Sequence, residues 1–142
     1  MADIALIRKR LRLETEQARR TSSARRERAK AATAAYEKFL EGIGIPTFRQ
    51  FATVLRGEGM PFEVQTPAGG VRLAPERARE DGITLELDAT QDPPAVMLRT
   101  THTWGSQISR TDRALTDGGA IDQISEDDVL ERLFEEIRPW LS

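Results

Sequence analysis

Residues 83–88 read Ile83-Thr84-Leu85-Glu86-Leu87-Asp88. Apolar and polar side chains alternate strictly, the period of a strand with one buried and one wetted face. Such a strand needs antiparallel neighbours joined by short turns, and an apolar layer over its inner face. The flanking sequence offers both.

Upstream, Phe62 and Val64 alternate with Glu63 and Gln65, and Val71 and Leu73 flank Arg72. Pro67-Ala68-Gly69-Gly70 lies between them, so the two runs predict a hairpin. The charged stretch from Ala74 to Asp81 fits a loop or one helical turn. Downstream, Asp92-Pro93-Pro94 predicts a turn, and Ala95 to Trp104 is rich in Val, Thr and Trp, residues that favour strands. Gly105-Ser106 can close a second hairpin. Gln107 to Leu115 would pair back, with weak alternation, before Asp117-Gly118-Gly119 turns the chain again.

The covering layer is helical. Ser125 and Asp128 form an [ST]-x-x-[DE] cap, and Glu126, Asp127 and Asp128 put three carboxylates where the helix dipole favours them. Leu130, Leu133, Phe134 and Ile137 give this helix an apolar face, and Pro139 is expected to end it. Further upstream, Phe48, Phe51 and Leu55 mark a short amphipathic helix closed by Gly57 and Gly59. Thr47 and Gln50 have the spacing of a capping box at its start.

Residues 1–41 contain neither Gly nor Pro and are rich in good helix formers, so a helix is expected from about Asp3 to Leu40. Ile4, Ile7, Leu11, Ala18, Ala29, Tyr36 and Leu40 share one stripe, broken by Ser22 and Arg25. Thr21-Ser22-Ser23 offers a place where the helix could divide. Gly42-Ile43-Gly44-Ile45-Pro46 reads as a stop, with glycines for the helix end and a proline that forbids continuation. The expected fold is therefore α+β: a long N-terminal helix, a short helix, a four- to five-stranded antiparallel meander and a C-terminal helix. The expected division is a basic helical extension over 1–41 and a compact acidic domain over 42–142.

Charge follows that division. The chain of 142 residues has a formal net charge of −2. Residues 1–40 hold eleven Lys and Arg against five Asp and Glu, a net of +6, and residues 41–142 hold ten against eighteen, a net of −8. The two parts attract, within one chain or between chains. A helix of this length reaches roughly 57 Å, whereas a body of about 100 residues has a radius of gyration near 13 Å. Part of the helix must project, bend back or meet another chain.

Composition excludes several chemistries. There is no Cys, hence no disulfide framework, thiolate metal site or Cys nucleophile, and the single His excludes a His-rich metal site. No metal site and no cofactor is expected. The N-terminus reads as neither a secretory signal, its apolar core being too short, nor a transit peptide, given Asp3, Glu14, Glu16 and Glu27. The expected location is the cytoplasm, with no membrane partner. Of 21 basic residues all but three are Arg, the bias of a GC-rich genome, which points to a bacterial source.

Few residues suggest catalysis. His102 and Trp104 share a strand face and are a candidate small-ligand pocket. Ser106, His102 and Asp112 lack any local hydrolase signature, and no catalytic residue is assigned. Asp127-Asp128 and Glu135-Glu136 are adjacent on a helix, diverge by 100° and are expected to be cap and solvated surface. The glycine pairs fit turns and caps, not phosphate loops.

The basic helix is the strongest feature. Arg8, Arg12, Arg19, Arg26 and Lys30 form a ridge beside the apolar stripe and are the candidate nucleic-acid contacts. Ile4, Ile7, Leu11, Ala18 and Tyr36 are the candidate oligomer interface. The expectation is a non-enzymatic, self-associating interaction protein. Nucleic-acid binding through the same helix, or small-ligand binding at His102 and Trp104, are the alternatives.

Overall fold

A computed structural model describes residues 3–141. Helix α1 runs Ile4–Phe39, a π-helical turn Leu40–Gly44, and α2 Ile45–Gly57. Strands β1 (Phe62–Gln65), β2 (Gly70–Pro75), β3 (Gly82–Asp88), β4 (Ala95–Trp104) and β5 (Gln107–Ala114) follow. A 3-10 turn (Ile121–Gln123), α3 (Glu126–Glu136) and the single turn α4 (Arg138–Leu141) complete the chain. The five strands form one antiparallel sheet in sequence order. The α+β meander expected from the alternation of residues 83–88 is the fold.

The expected stop after residue 41 does not occur. Gly44 has φ −59°, and Phe39, Leu40 and Ile45 are all right-handed helical, so the chain is helical from Ile4 to Gly57. Glycine adopts this conformation as readily as a positive φ. Pro46 is accommodated by the wider turn before it. Ile45 N–H bonds to Leu40 O, an i to i−5 closure, which opens the ladder where the proline ring would otherwise meet a carbonyl. Burial of Phe39, Leu40 and Gly44 holds the joint in place. Thr47 consequently caps nothing, since it lies inside this rod and is buried. Nor does α1 divide at Thr21-Ser22-Ser23. Thr21 Oγ1 donates to Gln17 O at 3.0 Å, which satisfies the hydroxyl without breaking the helix.

The inner sheet face carries Phe62, Val71, Leu73, Ile83, Leu85, Val96 and Leu98, all buried. Phe48, Phe51 and Leu55 of α2, Val129, Leu133 and Ile137 of α3, and Tyr36 and Phe39 of α1 complete the same core. The outer face is polar, with Arg99 bridging Glu86, Asp88 and Asp112. Gly82 is required at the start of β3: its φ is +152° and a Cβ would stand 2.6 Å from Leu73 O. The Ser125 cap forms as expected. Its hydroxyl accepts from Asp128 N–H at 3.2 Å, and the Asp128 carboxylate accepts from Ser125 N–H at 2.9 Å. Among the described residues no helix is long and apolar enough to cross a membrane.

Candidate functional site

Two regions hold the sequence-derived candidates: the outer part of α1 and a polar cleft beside β5. In α1, every residue from Asp3 to Arg28 is exposed, an arm about 38 Å long at the rise of an α-helix. Asp3 caps it, accepting from Ala5 N–H at 2.9 Å. Its root is clamped by a two-pronged bond from Arg28 to the Asp92 carboxylate, at 3.0 and 2.8 Å, with Arg25 at 3.4 Å. Hydrogen bonding to Arg28 holds the Asp92 carboxyl below its usual range.

Along the arm Ile4, Ile7 and Leu11 are 72%, 55% and 64% exposed, with Leu6 and Leu13 equally wet. Ala18 is exposed as well. Tyr36 does not belong with them. It is buried in the chain's own core, and its hydroxyl donates to Gly69 O at 2.6 Å, so no second copy can reach it. Membership of one stripe could not separate the residues that meet the sheet from those beyond its edge.

Arg8, Arg12, Arg19, Arg26 and Lys30 are exposed and form no ion pair among the described residues, whereas Arg10 and Arg20 are matched to Glu14 and Glu16. The ridge is therefore a line of uncompensated positive charge.

The structure parts His102 from Trp104. His102 meets Trp140 edge-to-face, ring centroids 4.9 Å apart, while Trp104 is 82% exposed. Both point the same way from β4, but Trp104 ends the strand before the Gly105-Ser106 turn. The aromatic wall comes from the turn α4, which follows the end of α3 and carries Pro139 at its second position.

His102 opens onto a cleft of about 380 Å³ shared with Thr100, Ser109, Thr111, Arg113 and Glu136. Glu136 is buried, which corrects its reading as solvated surface. Its Oε2 accepts from Thr100 Oγ1 at 2.8 Å and Thr111 Oγ1 at 3.1 Å, and Arg113 stands 3.5 Å from Oε1. The spacing Val129, Leu133, Glu136 carried this signal, since i, i+4 and i+7 share a face. Glu135 stays on the rim, paired with Arg132 at 3.0 Å.

The cleft does not assemble Ser106, His102 and Asp112. Ser106 lies in the turn, and Asp112 points to the other sheet face, 3.2 Å from Arg99. No group of three or more His, Asp or Glu able to hold a metal occurs among the described residues.

An apolar groove of about 390 Å³ lies between α2 and α3. Phe51, Val54, Met60, Leu130, Phe134 and Leu141 line it, and Glu58 stands at its rim. Exposed Val54 and Phe134 were its signal in the sequence, masked because each sits among residues of a conventional amphipathic face. No family model, curated protein or solved structure matches this chain.

Proposed function

We propose that this protein is a non-enzymatic, self-associating interaction protein and that the arm of α1 is its docking element. The observation that carries the reading is the exposure of Ile4, Leu6, Ile7, Leu11 and Leu13 on the part of α1 that lies beyond the Arg25 and Arg28 contacts with Asp92. An ordered helix that leaves five large apolar side chains wet forgoes roughly 1.5–3 kcal/mol for each side chain a partner could cover.

Two arms laid side by side would repel. Residues 3–28 hold nine bases and four acids, a net of +5. The complementary surface is the acidic body of a second copy, where the apolar α2–α3 groove is bordered by Glu58. Apolar burial would set the affinity and charge the orientation, because exposed ion pairs add only about 0–1 kcal/mol each.

Sedimentation of the full chain tests this. Ile7→Asp with Leu11→Asp should abolish arm-dependent association, while salt near one molar should only weaken it, the Debye length then being about 3 Å. An assembly untouched by the double variant removes the arm from this role.

The unpaired ridge of Arg8, Arg12, Arg19, Arg26 and Lys30 favours a second reading, in which the arm follows a nucleic-acid backbone. That reading requires DNA or RNA binding that falls steeply with salt and is lost on replacing the ridge arginines by Gln.

A further inference from the structure

The two edges of the sheet differ. β1 is four residues long and lies between Pro61 and Pro67, and Arg56 caps its Phe62 carbonyl at 3.1 Å. These features block the addition of another strand. β5 is twice as long, pairs with β4 in an unbroken register without a bulge, and contains neither Pro nor Lys. No backbone hydrogen bond reaches its outer side among the described residues.

The ladder fixes which backbone groups face outward. Leu115 N–H donates to Val96 O at 2.9 Å, so Val96 and Leu115 are a bonded pair. Bonded and non-bonded pairs alternate in an antiparallel ladder. Leu98–Arg113, Thr100–Thr111 and His102–Ser109 are therefore bonded pairs too. Ile108, Arg110, Asp112 and Ala114 consequently turn their N–H and C=O groups to the open edge.

We propose that this edge pairs with β5 of a second copy, antiparallel about a two-fold axis at Thr111. In that register Arg110 of each copy lies opposite Asp112 of the other, and Ile108 opposite Ala114. All four are residues whose backbone groups face outward, so each pair can exchange both its hydrogen bonds, as the ladder requires. A shift by two residues in either direction places Arg110 against Arg110 or Asp112 against Asp112, which like-charge repulsion disfavours. A shift by one brings inward-facing backbone groups to the edge and makes no ladder. The sequence Arg110-Thr111-Asp112 thus selects one register, in which Ile108, exposed on the sheet's outer face, covers Ala114.

The proposal does not rest on the arm. The result would be a ten-stranded sheet across two copies. Ser109 and Arg113 line the polar cleft on the other face, and the same register sets Ser109 of one copy beside Arg113 of the other. The two clefts would then border one another along the dyad.

The experiment is charge exchange followed by sedimentation of full-length chains. Arg110→Asp makes the strand acidic at both positions, and Asp112→Arg makes it basic at both. Each alone should weaken the dimer by at least about tenfold, because two attractive cross-strand pairs become repulsive. Mixed, the two variants should form a one-to-one heterodimer. Arg110→Pro removes only an outward N–H, so it should abolish pairing while circular dichroism shows the fold intact. A wild-type monomer at tens of micromolar, single variants that associate like wild type, or a mixture that stays monomeric overturns the proposal. Loss of association in Ile7→Asp with Leu11→Asp but not in Arg110→Asp also overturns it and leaves the arm reading standing. The opposite pattern removes the arm from self-association and leaves the β5 pairing.

Discussion

The two halves of the helical rod, residues 4–28 and 29–57, continue one apolar stripe but differ in what meets it. In the inner half Tyr36, Phe39 and Leu40 are buried against the sheet and α2, and the rod continues through the π turn into the core. In the outer half Ile4, Ile7 and Leu11 share a stripe with Tyr36 and Leu40 and meet water. An apolar stripe therefore records what a helix is able to cover, not what covers it. The sheet ends, the helix does not, and the excess is an arm.

The largest test of this contrast is a pair of truncations. Tyr36→Ala should cost about 3–5 kcal/mol, since it removes a buried aromatic ring and leaves a cavity. It also removes the hydroxyl that donates to the Gly69 carbonyl. Ile7→Ala should change stability by less than about 0.5 kcal/mol in the monomer, as at other exposed sites. Urea unfolding of both variants decides. Equal losses would mean that the outer half is packed.

The alkaline range sharpens the same contrast. Tyr36 is the only tyrosine, and burial pushes its hydroxyl from about 10 up to about 12. A phenol whose pKa is higher in the folded than in the unfolded chain contributes stability that is complete below pH 10 and is lost as pH rises towards 12. Absorbance at the tyrosinate band should therefore stay flat through pH 10–11 in the native protein and rise in denaturant. Ionisation near 10 in both states would put Tyr36 in water and erase the difference between the halves.

The smallest effect belongs to the boundary itself. Asp92→Asn should leave global unfolding nearly unchanged but reduce amide protection around Arg25 and Arg28, because the clamp that ends the arm is lost. In the wild type the same loss should appear only on acidification. The Asp92 carboxyl sits below its usual range, so the clamp is complete above pH 4 and fades beneath it. Protection falling smoothly from Ala29 to Asp3 in both proteins would show that the clamp defines no boundary.

Much of the fold was legible locally. The alternation in β3 and the Ser125–Asp128 cap depend on neighbours within a few residues, and each formed as read. The glycines and proline of residues 42–46 are equally local signals, yet they misled. Their stop competes with burial of Phe39 and Leu40, which only the packed sheet supplies. The cleft failed for a related reason. Thr100, Thr111 and Glu136 are brought together by strand register and helix placement, so no short window contains them.

The sequence by itself determined the strands, the capped C-terminal helix, the antiparallel order and the opposed charges of arm and body, because period, turn chemistry and charge are properties of short segments. Tertiary structure decided where the stripe of α1 passes from core to water, that Trp140 and not Trp104 flanks His102, that Glu136 is buried and that β5 is left as an open edge. Each of these depends on which distant residues share a surface. That is set by the packing of α1, α2 and α3 on one finite sheet.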